Sequence, residues 1–243
     1  MIMVNAQFRD LGLIDYEKCL SLQEELFSES LAIKGMPDTS SVAIVPDNYM
    51  IFCEHPHVYT LGKSGKESNL LLDYLQLKSK EATFFKTNRG GDITYHGPGQ
   101  IVGYPVIDLE QFGMSLRNYI YNIEESIIRA LKVYGIRASR MEKAAGVWLN
   151  PDTPRARKIC AIGVRSSRYI TMHGFAFNVN TDLNYFNYIN PCGFTDKSVT
   201  SLARELGALQ DMDKVKETVK KQFCEVFDMD LKEYNSFSPK QAS

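Results

Sequence analysis

Apolar residues recur at helical spacing in a few stretches and in short β-favourable runs elsewhere, and that contrast divides the chain. Asp15 caps a helix reaching about Lys34, with Cys19, Leu22, Leu26 and Leu31 as its apolar stripe and Gly35 and Pro37 as its stop. Ser115 caps the clearest helix, in which Leu116, Ile120, Ile123, Ile127 and Leu131 repeat as far as Gly135. A third amphipathic helix covers about Asp211 to Phe227, and shorter ones are expected at Leu70–Lys78 and Val199–Leu206. Between them, two β-rich runs in Ser41–Glu54 flank Pro46-Asp47-Asn48 as a hairpin. Further strands are expected at Val58–Leu61, Thr83–Lys86, Ile101–Leu109, Ala145–Leu149, Lys158–Arg165 and Tyr169–Asn180. Pro105 inside one of them suggests an edge strand or a bulge, because proline has no N–H to give a ladder. Asp182 to Phe194 reads as irregular and the last ten residues as a frayed tail. Strands and helices mix instead of alternating, with no repeat or linker. The expectation is one α+β domain over residues 1–243, core about 15–227, with a mixed, largely antiparallel sheet and flanking helices.

Composition narrows the class without naming a chemistry. A net charge of -1 gives no general electrostatic reason to bind nucleic acid, and no apolar run approaches the ~20 residues of a membrane span. The N-terminal residues lack the apolar core and cleavage site of a signal peptide. Cys19, Cys53, Cys160, Cys192 and Cys224 are odd in number and scattered, which points to reduced thiols and a cytoplasmic location.

Two glycine-punctuated stretches carry the candidate chemistry. Arg89-Gly90-Gly91-Asp92-Ile93-Thr94-Tyr95-His96, running on into Gly97-Pro98-Gly99-Gln100, has a composition suited to a substrate cradle built as turn, short strand, turn. The second, Asn190-Pro191-Cys192-Gly193-Phe194, sets a thiol in a turn where a structural cysteine has little to pack against. Cys192 is therefore the candidate nucleophile, and the other four cysteines read as small buried hydrophobes. A catalytic thiol needs a cationic or basic neighbour. Lys158, His173 and His96 could each supply one, and residue chemistry leaves the three unranked. Cys53-Glu54-His55-Pro56-His57 contains zinc-type ligands but no second ligand pair at a suitable spacing, so no metal is expected. No Walker loop or Rossmann fingerprint occurs, so no nucleotide is expected either.

Five co-linear motifs then carry a resemblance. They are Glu54-His55-Pro56 with Val58 to Gly62, Arg89-Gly90-Gly91 through Gln100, and Lys158-Ile159 with Ile162 to Arg165. His173-Gly174 with Asn178 to Asn180, and Asn190-Pro191-Cys192-Gly193, complete the set. Together they resemble the lipoyl(octanoyl) transferase family, also called lipoate-protein ligase B, over roughly Asp15 to Leu206. The resemblance implies the α+β fold of the biotin and lipoate protein ligase catalytic domain. It also implies octanoyl transfer from acyl carrier protein, held as a phosphopantetheine thioester, to a lysine of a lipoyl domain. Such domains occur in 2-oxoacid dehydrogenase complexes and in the glycine cleavage H protein. By the matching motifs Cys192 is the acyl-accepting nucleophile and Lys158 the lysine that activates it. Substrate contacts fall on Arg89 to His96, on Ala161, Ile162 and Gly163, and on Gly174, Phe175 and Ala176, with His173 as an accessory. No ATP or metal is required, because a thioester donor passes downhill to an amide. The competing readings are an ATP-dependent ligase of the same fold and a non-catalytic carrier-binding module. A basic rim of Arg155, Arg157, Arg165 and Arg168 is the expected dock for acidic carrier domains, and the Asn150–Arg157 loop matches no family role.

Overall fold

The computed structural model describes residues 3–36, 44–190 and 198–234. Among these, nine strands form one sheet and three form a smaller one. The large sheet comprises β1 (Val4–Leu13), β2 (Tyr49–Glu54), β6 (Gln100–Val106), β7 (Ser139–Met141), β8 (Ala144–Leu149), β9 (Arg157–Ser167), β10 (Ile170–Asn178), β11 (Ser198–Val199) and β12 (Met229–Glu233). Its order is β12-β1-β2-β6-β10-β9-β8-β7, with β11 paired to β9. The pairings of β1 with β12 and β2, and of β9 with β11, are parallel, and the others are antiparallel. The small sheet is β4 (Thr83–Lys86), β3 (Val58–Leu61) and β5 (Ile93–His96). The mixed, largely antiparallel α+β expectation holds.

Period-two alternation sorts the side chains of the central strands onto two faces. Met50, Phe52, Ile101, Phe175 and Phe177 point to one core, covered by α3 (Leu116–Val133) and α5 (Met212–Phe227). Ile51, Cys53, Val102, Tyr104 and Met172 point to the other, where α1 (Tyr16–Lys34) lays down Cys19, Leu26 and Phe27. The three long helices start where expected, with Asp15, Ser115 and Asp211 each accepting a backbone N–H in the first turn.

Several local expectations fail for identifiable reasons. Pro46-Asp47-Asn48 turns no hairpin: residues 44–48 form no strand, and β2 pairs instead with β1 and β6. The helix expected over Leu70–Lys78 is α2 (Tyr74–Ser79), since Asp73 closes a capping box with Gln76 and sets the start there. The helix expected from Val199 begins only at α4 (Leu202–Leu206), because Val199 pairs with Lys158 in β11. Pro105 lies in a central strand, not at an edge. Its carbonyl faces β10, where the ladder stops at Gly103, and the Thr171 hydroxyl donates to it while accepting from Ile107 N–H. A side-chain hydroxyl thus serves the Pro105 carbonyl and the Ile107 N–H where the ladder has stopped. Strands β1, β7 and β12 were not expected from the sequence, and the tail from residue 235 lies outside the described residues.

Candidate active site

On the α1 face, beyond the end of that helix, the large sheet carries small residues. Gly163 faces Gly174 and Ala161 faces Ala176 directly across β9 and β10, while their neighbours Ile162 and Phe175 also pair. Two cross-strand pairs without bulk leave a hollow where Val102 and Tyr104 alone cannot fill the layer. The small sheet roofs it and produces a cavity of about 600 Å³, within the usual range for a small-ligand site.

Its lining contains the expected Arg89, Gly91, Asp92, Ile93, Thr94, His96, Lys158, Ala161, Ile162, Gly163, His173, Gly174, Phe175 and Ala176. Gly90 and Tyr95 do not line it. Gly90 N–H donates to Val164 O at 2.9 Å and seats the cradle on β9. Tyr95 turns its hydroxyl to His57 Nδ1 at 2.7 Å and stacks on Tyr185. The glycines permit close approach: a Cβ on Gly163 would meet Gly90 O at 2.9 Å, and one on Gly174 would meet Gly103 O at 2.1 Å.

A directed hydrogen-bond chain fixes the cradle. Arg89 Nη2 donates to Thr60 O at 2.6 Å and to Thr60 Oγ1 at 2.9 Å, and that hydroxyl lies 3.3 Å from His96 Nε2. His96 Nδ1 donates to Gln100 Oε1 at 2.8 Å, because the Gln100 amide nitrogen is already donating to Asn178 Oδ1 at 2.9 Å. Asn178 in turn donates to Thr200 O. Every member is buried. The chain needs a neutral imidazole, and burial, then His55 and Arg89, push the His96 pKa down to about 3. His173 also falls to about 3, through burial and then the Arg89 and Arg165 guanidiniums. Neither is an effective proton acceptor at neutral pH.

Lys158 stands half-buried on β9 between Trp148 of β8 and Val199 of β11. Its ammonium lies 4.7 Å from the Trp148 ring centroid, a cation–π contact. Beneath it Glu124 of α3 accepts from Gly146 N–H at 3.0 Å and pairs with Arg140 at 3.1 Å. Of the three candidate bases, Lys158 is thus the one with a cationic head at the cavity wall.

Pro191, Cys192 and Gly193 lie outside the described residues, but both ends of their segment line the cavity, at Asn190 and at Ser198. Sequence reasoning missed the residue that ties this segment to the cradle. Asn69 accepts from Asn190 N–H at 2.8 Å through its carbonyl and donates its amide to both Asp92 oxygens at 2.9 and 2.7 Å. It also missed Trp148, while Gln100 and Asn178 stood in the motifs without a role of their own. Residue type alone could have flagged Trp148, the one tryptophan in the chain.

The basic rim does not assemble. Arg157 is held by Glu205 through two contacts of 2.7 and 2.6 Å. Arg165, eight positions along the strand and so about 26 Å away, stacks on Phe27 at 4.8 Å. Among the described residues no helix is long and apolar enough to cross a membrane.

Known proteins share both the sequence and the shape. The profile of the lipoyl protein ligase A/B catalytic domain matches residues 15–224. An octanoyltransferase of Bacteroides fragilis is 57% identical over 208 residues, covering 86% of this chain and 91% of the relative. One of Parabacteroides distasonis is 53% identical over 226 residues, covering 93% of this chain and 100% of the relative. Among solved structures, a lipoate-protein ligase A bound with ATP superposes with a TM-score of 0.67 at 15% identity, covering 95% of this chain and 89% of the other. A putative lipoate protein ligase from T. acidophilum with bound lipoic acid gives 0.66 at 15%, with the same coverage. These two likenesses establish the biotin/lipoate ligase fold.

Proposed function

Because the chain belongs to the lipoyl protein ligase A/B catalytic-domain family, we propose that it transfers an octanoyl group to a lipoyl-domain lysine through a Cys192 thioester. The observation that carries this reading is the meeting of Lys158, the glycine cradle and both ends of the Cys192 segment around one cavity of acyl-group size.

The chemistry runs in two exchanges. Cys192 thiolate attacks the carbonyl carbon of an octanoyl thioester on acyl carrier protein. The new C–S bond forms, the old one breaks, and the phosphopantetheine sulfur leaves as a thiol by taking the proton of the Lys158 ammonium, which becomes neutral. The two thioesters are close in energy, so this step needs no ATP. The amine of the target lysine then attacks the acyl-enzyme, an amide forms, and Cys192 leaves as thiolate. Lys158 serves both steps, first as an ammonium that favours the thiolate and then, once neutral, as acceptor of the amine proton. Small residues at positions 161, 163, 174 and 176 give the acyl chain its room, and the Arg89–His96 cradle closes over it. Acceptors of this kind are the lipoyl domains of 2-oxoacid dehydrogenase complexes and the glycine cleavage H protein. The reading assigns the reaction to the cytoplasm, where thiols stay reduced.

The test incubates the protein with octanoyl-acyl carrier protein and an apo lipoyl domain, with and without ATP, and follows intact masses. The expected result is ATP-independent octanoylation and an acyl adduct mapping to Cys192, both lost in Cys192→Ala. Modification only with ATP would favour a ligase. Full activity of Cys192→Ala, or an adduct on Cys160, would exclude the acyl-enzyme.

A further inference from the structure

Behind the cavity wall the fold assembles a set of ligands that no single stretch of sequence contains. Cys53 ends near the C-terminus of β2 and His55 follows in the next turn, a pair that alone is too few for a metal site. Helix α1 adds Cys19 from 34 positions upstream, and the three ligand atoms all lie within 4.8 Å of one another. All three residues are 0% exposed.

Two of the three edges have the lengths of a metal polyhedron, and the third lies within 4.8 Å. A tetrahedral zinc with bonds of about 2.3 Å to sulfur and about 2.0 Å to nitrogen needs S···S edges of about 3.8 Å and S···N edges of about 3.5 Å. Cys19 Sγ and Cys53 Sγ are 4.0 Å apart, and Cys53 Sγ is 3.5 Å from His55 Nε2. The imidazole is also turned correctly. Its Nδ1 lies 2.8 Å from the Ile14 carbonyl, which can only accept, so the proton sits on Nδ1 and Nε2 keeps a lone pair, 2.8 Å from the Tyr104 hydroxyl and 3.5 Å from Cys53 Sγ. A backbone carbonyl holding the far nitrogen is the usual outer support of a metal-bound histidine. The Tyr104 hydroxyl donates to the Nε2 lone pair at 2.8 Å, and a cation that takes the lone pair leaves the phenol oxygen beside the site, where it can turn to the fourth corner.

We propose that Cys19, Cys53 and His55 bind a zinc-class divalent cation, with the Tyr104 hydroxyl at its fourth position. Two thiolates balance the two positive charges, so the loaded site is neutral and suits burial, and binding releases two thiol protons to solvent. Soft sulfur with imidazole selects zinc over magnesium or calcium. The ion is structural: it pins α1 and the Ile14 segment to β2. Tyr104 also lines the cavity, so the same ion fixes one wall of the acyl site without touching the transfer chemistry.

The experiment measures zinc by mass spectrometry in protein purified without chelator from zinc-supplemented cells. About one zinc per chain is expected in the wild type and in Cys224→Ser, falling at least fivefold in Cys19→Ser and in Cys53→Ser. Should those variants fail to fold, the wild type loaded with cobalt(II) decides, because only a thiolate-rich tetrahedral site gives intense visible d–d bands. Less than a tenth of an equivalent of zinc with no cobalt bands would overturn the proposal. So would zinc retained in the Cys19→Ser, Cys53→Ser double variant, or a Cys19–Cys53 disulfide detected by peptide mass.

Discussion

His173→Asn offers a test of how the cavity wall holds a neutral histidine. His173 takes φ of 59° within β10, a backbone region that asparagine tolerates better than most residues, so the substitution preserves the chain path. The imidazole meets Asn88 Oδ1 at 2.8 Å through Nε2, and its backbone N–H donates to Gln23 of α1 at 3.1 Å. Arg89 of the cradle and Arg165 of β9 face it, and with burial they bring its pKa to about 3. An unfolded histidine titrates near 6.5. Below that pH the unfolded chain binds a proton that the native chain refuses, so stability falls as pH drops from about 6.5 towards 3 and is unaffected above it. Integrated from pH 7.5 to 5, this one group removes about 2 kcal/mol from the wild type and nothing from the variant. The variant loses the Asn88 bond at either pH, at a cost of about 1–3 kcal/mol. The stability gap between the two proteins should therefore narrow by about 2 kcal/mol on acidification, as read from urea unfolding at both pH values. His96 and the carboxylates are common to both and cancel. Parallel pH profiles, with the gap constant within about 0.5 kcal/mol, would refute the assignment of a buried neutral His173.

Three further outcomes follow from the site. Lys158→Arg keeps the cation over Trp148 but cannot give up its proton, so in single-turnover mass spectrometry acyl-enzyme should form while transfer slows at least ~100-fold. Gly174→Ala drives a Cβ to 2.1 Å from Gly103 O and should cost about 1–3 kcal/mol, a fall in Tm of roughly 2–12 °C by calorimetry. Asn69→Ala frees Asp92 from its amide and should lower kcat/KM for the acyl donor about tenfold with little change in Tm, as measured by initial rates and thermal melts.

What the sequence made legible was whatever local pattern controls. Helix caps at Asp15, Ser115 and Asp211 and the alternation in β9 and β10 are read directly from neighbouring residues. The cradle announced itself by composition, since glycines are required where Gly90 and Gly163 approach. What stayed hidden depends on partners distant in the chain. β1 was the exception, a legible element that was passed over: Val4, Ala6 and Phe8 alternate with Asn5, Gln7 and Arg9, and Ala6 and Phe8 are buried where β2 and β12 flank the strand. Pro105 fits a central strand where the ladder to β10 has stopped and Thr171, 66 positions on, bonds its carbonyl. Asn69 carried no signal, and Cys19 read as a small buried hydrophobe, until the fold set them beside Asp92 and Cys53.

The parallel pairing of β12 with β1, Val4 beside Met229, has a consequence in time. A ribosome adding about 5–20 residues per second needs roughly 10 to 45 s to make the chain between those two partners. Through that interval β1 has emerged with an unpaired edge, and even its other neighbour, β2, begins at Tyr49. That border of the sheet is therefore the last part of the protein to be assembled, after the cavity strands β9 and β10 have left the ribosome. A nascent chain stalled before Met229 would expose a ten-residue strand edge to its neighbours on the polysome, which makes aggregation during synthesis, and not loss of the acyl site, the first cost of truncation there.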